Sequence, residues 1–194
     1  MGFDLNGGLP GVPAEQRLNV YALVIYIPDP LGRFLDDLRR ELAPGCNPHA
    51  HVSVLPPRSL GVDWQVAGRE LRRLTDKQPP FAVGLAEVRI FPVTNVIYIE
   101  VGAGASELYR MHDAINRGGA LAFEEPFAYH PHITLAQEIG QGDVQAVYEL
   151  ATRRWAEFTG PHAFRAERAT FVQNRMGNCW VDLTELELGA VPVG

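Results

Sequence analysis

Between residues 18 and 27 nearly every position is β-branched, aromatic or otherwise apolar, which predicts a buried strand. The period then changes. Leu31, Phe34, Leu35, Leu38 and Leu42 share one face of a helix over 31–42, stopped by Pro44-Gly45. A short strand at 49–55 runs into Pro56-Pro57, a helix at 63–75 ends before Pro79-Pro80, and two strands follow at 81–91 and 95–101. Helix returns over 106–117, closed by Gly118-Gly119. A strand at 127–136, a helix at 143–158 and strands at 164–173 and 178–186 complete the pattern. The first 17 residues hold four glycines and two prolines without any periodicity and read as a flexible arm.

The order is β-αβαββ-αβαββ. After the first strand one five-element unit occurs twice, at an offset of roughly 81 residues, far longer than a solenoid repeat. His49-Ala-His51-Val-Ser53-Val aligns with His130-Pro-His132-Ile-Thr134-Leu, and Pro80-Phe81-Ala82 aligns more weakly with Pro161-His162-Ala163. This predicts an α+β fold, one bilobal domain over 18–190. Its lobes are related by a pseudo-twofold axis, and each offers the same strand to a central cleft.

Those two strands carry the chemistry. Side chains alternate along a strand, so His49, His51 and Ser53 are expected on one face and His130, His132 and Thr134 on the corresponding one. Chance at six histidines in 194 residues yields roughly 0.2 His-x-His pairs, and here there are two, each followed by a hydroxyl. Histidine exists in either protonation state near neutral pH, so two of them across a cleft can act as base and acid. The hydroxyls can donate hydrogen bonds to a charged oxygen between them. Phosphodiester cleavage calls for that set, and it needs no metal and no cofactor.

His51-Val-Ser53-Val and His132-Ile-Thr134-Leu resemble the paired His-x-Thr/Ser-x signatures of the 2H phosphoesterase superfamily, which includes the RNA 2′,3′-cyclic phosphodiesterases, also called 2′-5′ RNA ligases. The likeness extends over nearly the whole chain beyond the arm, because motif separation and element order match too. It implies a bilobal α+β fold, with His51 and His132 as the catalytic pair and Ser53 and Thr134 binding the phosphate. It also implies hydrolysis of 2′,3′-cyclic phosphodiesters on RNA ends or small nucleotides. Serine replaces the commoner threonine in the first motif, keeping the hydroxyl and losing the methyl that restricts its rotamer. His49 and His130 lie outside the core signature and are candidate substrate contacts. Arg58, in the turn after the first motif, is a candidate phosphate ligand. Tyr98 and Trp180 could stack a base but are assigned to packing, and His112 and His162 to structural or solvated roles.

Other readings of the same residues stay open. Two imidazoles on one strand face also suit a metal site, although no Asp or Glu sits in either motif. A cleft of this kind that captures a nucleotide without turning it over would share every motif. Gly102-Ala-Gly104 has Glu107 where a dinucleotide loop needs its third glycine, and no phosphate-binding Gly-Lys-Ser/Thr loop supports an ATP-driven ligase.

Composition narrows the field further. Hydrophobic residues make up 46% of the chain and charged residues 21%, an ordinary globular balance. The net charge is −6 and no Lys/Arg-rich stretch occurs, which argues against gripping extended DNA or RNA and tilts toward a small nucleotide or an RNA terminus. Cys46 and Cys179 are the only cysteines, too few for a disulfide framework or a cysteine zinc site. No apolar run is long enough to span a bilayer, and the N-terminus lacks signal-peptide and myristoylation patterns, so a cytoplasmic protein is expected.

Overall fold

The computed structural model describes residues 16–43, 49–140 and 142–189. Nearly all of the N-terminal arm, the Pro44-Gly45 helix stop and Cys46 lie outside them. The strands are β1 (Arg17–Tyr26), β2 (His51–Arg58), β3 (Phe81–Ile90), β4 (Ile97–Val101), β5 (His132–Ala136), β6 (Ala163–Ala166), β7 (Arg168–Arg175) and β8 (Cys179–Glu187). The helices are α1 (Leu31–Leu42), α2 (Trp64–Thr75), α3 (Ala105–Asn116) and α4 (Val144–Glu157), and a 3₁₀ turn covers Gly119–Leu121. The expected order is present, with two differences. The strand expected at 164–173 is broken into β6 and β7, which belong to different sheets. The strand expected from 127 begins only at His132, because Pro126 and Pro131 have no N–H to give to a ladder.

Local chemistry sets the element ends. Leu31, Leu35, Leu38 and Leu42 bury one stripe of α1, as their spacing requires. Asp63 caps α2 by accepting the Gln65 N–H at 2.7 Å. Gly104 precedes α3 at φ +83°, and a Cβ there would stand 2.4 Å from the Ala82 carbonyl oxygen. Gly104 is thus explained by close packing of the β4–α3 connection on β3.

Two four-stranded antiparallel sheets result, in the orders β2-β1-β7-β8 and β5-β4-β3-β6. The sheets do not each hold one repeat. The β3–β4 hairpin of the first unit lies beside β5 of the second, and the β7–β8 hairpin of the second lies beside β1. The lobes therefore interlock, and one main hydrophobic cluster draws on both sheets and all four helices. Each motif strand is an edge strand of its own sheet, paired only with the strand that precedes it through a helix. The two edges approach each other.

Candidate active site

His51 and Ser53 on β2 pair with Tyr26 and Val24 on β1, so these four side chains share one face. The intervening Val52 and Val54 are fully buried on the other. On β5, His132 and Thr134 stand opposite Glu100 and Tyr98 of β4, with Ile133 and Leu135 buried behind. The alternation read from sequence holds for these two pairs.

The upstream histidines lie before the strands yet keep to the same side: Tyr26 meets the rings of both His49 and His51, and Phe91 and Tyr98 meet those of both His130 and His132. His49 lies outside the strand at φ +77°, and its ring is exposed beside Tyr26, with centroids 5.8 Å apart. His130 precedes β5; its Nε2 is buried without a hydrogen-bond partner, and the nearest carboxylate oxygen, on Glu100, is 4.0 Å away. What the two share is a backbone role. The Nδ1 of His51 meets the His49 carbonyl at 2.8 Å, and the Nδ1 of His132 meets the His130 carbonyl at 2.6 Å. A carbonyl only accepts, so each Nδ1 carries the proton and each neutral ring presents an unprotonated Nε2. The turned carbonyls are held differently in the two lobes. Asp36 on α1 accepts the Ala50 N–H at 2.5 Å, whereas the matching residue in the second lobe is Pro131, which has no N–H and a fixed φ.

Burial lowers the pKa of both imidazoles. For His51 desolvation dominates, the His49 carbonyl opposes it, and the nearby Arg39 and His132 deepen it, bringing the value down to about 4. For His132 desolvation again leads, opposed by the His130 carbonyl and reinforced by His130. β2 and β5 touch, which brings the two motif histidines to neighbouring edges, where a charge on His132 acts on His51.

Around them the two walls differ. On the first, Ala22, Val24 and Val172 form a small apolar cluster overlaid by Tyr26 and Trp180, separate from the main core. Tyr26 donates to Asp182 at 2.7 Å. Thr170 shares this face as the partner of Val24, and with Tyr26, Arg165, Arg168 and Glu185 it lines a concavity of about 350 Å³. On the second wall Phe91 stacks on Tyr98 with centroids 3.9 Å apart, and both turn edges toward His132. Trp180 packs on the apolar cluster of the first wall and Tyr98 is 5% exposed, so both are packed as expected, each on a motif face.

Arg58 does not reach the site. Its side chain is 1% exposed and its donors are spent on the Pro56 carbonyl, Asn116 Oδ1, the Leu121 carbonyl and Glu125. The expectation of a phosphate ligand is corrected: an arginine with these partners is a structural tie. His112 lies between Asp113 and Glu125, and His162 packs on Trp155, as their structural assignment required. Among the described residues no three His, Cys, Asp or Glu side chains gather as a metal-ligand set, and no helix is long and apolar enough to cross a membrane. Sequence reading missed Asp36, Tyr26, Tyr129 and Glu125. Only Tyr129 carried a signal, since it adjoins the second motif while the matching residue of the first repeat is Pro48.

A bilobal α+β fold with a histidine and a hydroxyl on each of two facing edge strands defines a class of two-histidine phosphoesterases. Comparison agrees: residues 27–178 match the model of the 2′-5′ RNA ligase superfamily, and the chain belongs to that family. It is 25% identical over 137 residues to a protein of Geobacillus kaustophilus named as a phosphoesterase, a match that covers 66% of this chain and 75% of that one. A phosphoesterase-named protein of Bacillus cytotoxicus is 34% identical over 76 residues, 39% of this chain and 43% of its own. Among solved structures, E. coli LigT complexed with NADP+ superposes with a TM-score of 0.60 at 16% identity, covering 90% of this chain and 98% of LigT. The TT0787 protein of Thermus thermophilus gives 0.59 at 17% identity, with 88% and 98% covered.

Proposed function

We infer that the chain hydrolyses 2′,3′-cyclic phosphodiesters, on RNA ends or small nucleotides, by two-histidine acid–base catalysis without a metal. The observation that carries this reading is the repeated local geometry: an Nδ1 tied to the carbonyl two residues back, a free Nε2, and a hydroxyl two residues on, once on each motif strand. Family membership supports it, as do the structures of E. coli LigT with 3′-AMP, ATP and phosphate, ligands of that protein that share this chemistry.

In the step proposed, a neutral histidine accepts a proton from water as the water oxygen bonds to phosphorus. The bond from phosphorus to one ribose oxygen breaks, and the protonated histidine gives that oxygen its proton. Ser53 and Thr134 donate to the non-bridging oxygens, where negative charge accumulates. In the free protein desolvation leaves both rings largely neutral at pH 7, and a bound phosphodiester anion between them favours protonation of one. A ribose hydroxyl in place of water would run the same step toward a 2′-5′ linkage, with hydrolysis favoured in water.

The test is turnover of 2′,3′-cyclic AMP in excess EDTA, with the product phosphate located by phosphorus NMR. Turnover that His51→Ala or His132→Ala lowers by about 10²-fold or more is expected. Binding without turnover would replace the reading by a nucleotide-binding module. Turnover that returns only on adding zinc or manganese would replace it by a metal enzyme.

A further inference from the structure

The two histidines must stand at a fixed separation, yet no β-ladder joins the strands that carry them. β2 and β5 are edge strands of different sheets. The stretch 122–131 leading into β5 has neither helix nor strand, so its backbone does not fix His132 from that side either. Side chains take over the task. Tyr129, three residues before His132, donates its hydroxyl to the backbone carbonyl of Ser53, two residues after His51, at 2.9 Å. The Tyr129 ring lies flat on His112 of α3, with centroids 4.0 Å apart and planes 1° apart. His112 Nε2 is 3.1 Å from Glu125 Oε1, and the same oxygen accepts from Arg58 at the end of β2. The chain of contacts therefore closes on itself. It leaves β2 at Arg58, passes through Glu125, His112 and Tyr129, and returns to β2 at Ser53.

The geometry points to this circuit as the device that sets His132 against His51, with Tyr129 as its positioning residue. It rests on the phosphoesterase reading above and adds to it how the site is held. Two physical points support it. A buried arginine–glutamate pair is often no better for stability than apolar side chains of similar volume, and the best-attested contribution of such a pair is to fix register. Arg58 is 1% exposed, Glu125 11% and His112 7%, which puts the pair and its histidine in low-dielectric surroundings where one arrangement is strongly preferred. The circuit also has no counterpart in the other lobe at the tyrosine position, where the residue is Pro48. One link suffices to set one distance.

Catalytic groups misplaced by about 1 Å can lose about 10²-fold in rate. The experiment is a double-mutant cycle on kcat for 2′,3′-cyclic AMP, using Tyr129→Phe, His132→Ala and the two together. Tyr129→Phe keeps the ring on His112 and removes only the hydroxyl. It is expected to lower kcat about 10-fold with KM within about twofold. In the His132→Ala background the same change is expected to alter kcat by less than about twofold, because the group it positions is gone. An equal loss in both backgrounds, or none in either, overturns the proposal and leaves Tyr129 a packing residue. Should Tyr129→Phe fail to fold, His112→Phe preserves the stacked ring, cuts the link to Glu125 and enters the same cycle with the same expectations. Absence of turnover in the unmutated protein would instead overturn the phosphoesterase reading, and the positioning role with it.

Discussion

At the scale of single residues, the site works through atoms that side-chain identity alone does not reveal. His49 and His130 serve through their carbonyls, which fix the tautomer of the histidine two residues on. Substituting His51 or His132 by alanine is expected to reduce kcat by about 10²–10⁴-fold, the usual size of an acid–base contribution, with little change in the thermal midpoint. His49→Ala keeps the carbonyl and is expected to cost far less, and steady-state kinetics on the three variants checks the contrast. The depressed imidazoles also set the pH dependence. In the free protein the base deprotonates, and the acid loses its proton, below the ordinary histidine value of about 6.5. The profile of kcat/KM is therefore expected to be a bell displaced to the acid side, with its alkaline limb beginning below about pH 6.5. A profile flat from about pH 3 to about pH 9 would sink the two-histidine assignment, since that window brackets both the ordinary imidazole value and the lowered ones.

At the scale of elements, ends matter more than middles. Gly104 sits at positive φ against the Ala82 carbonyl, so Gly104→Ala combines a strained backbone with a steric overlap. It is expected to lower stability by about 1–3 kcal/mol. Asp63→Ala removes only the α2 cap and is expected to cost about 1 kcal/mol, which gives a comparison within the same urea-unfolding series. The helix bodies were legible because stripes such as Leu31, Leu35, Leu38 and Leu42 repeat at a period that only a helix satisfies. β5 was overestimated because aromatic residues before it imitate a strand while Pro126 and Pro131 deny it a ladder. The break between β6 and β7 falls at Glu167-Arg168, two adjacent charged residues that shift the apolar phase, while the sheet each half joins is set by its partners.

At the scale of the whole molecule, folding and function meet in the same histidines. A histidine whose folded pKa is lowered favours the folded state above its unfolded value of about 6.5, and that contribution is lost as pH falls toward the folded value. For His51 the window runs from about 6.5 down to about 4, and the contribution is on the order of 3 kcal/mol; His132 acts in the same direction. The urea midpoint is thus expected to drop between pH 6.5 and 4, and to drop less steeply in His51→Ala.

The sequence by itself determined the element order, the repeat and the two His-x-hydroxyl pairs, because periodicity and strand alternation are properties of neighbouring residues. Tertiary structure alone decided that each hairpin crosses into the sheet that holds the other repeat's motif strand, that Arg58 turns inward to Glu125, and that Tyr129 reaches Ser53. Those partners lie 67 and 76 residues apart. A buried charge or hydroxyl takes whatever partner the packed chain brings within about 3 Å, and no local pattern encodes which that will be.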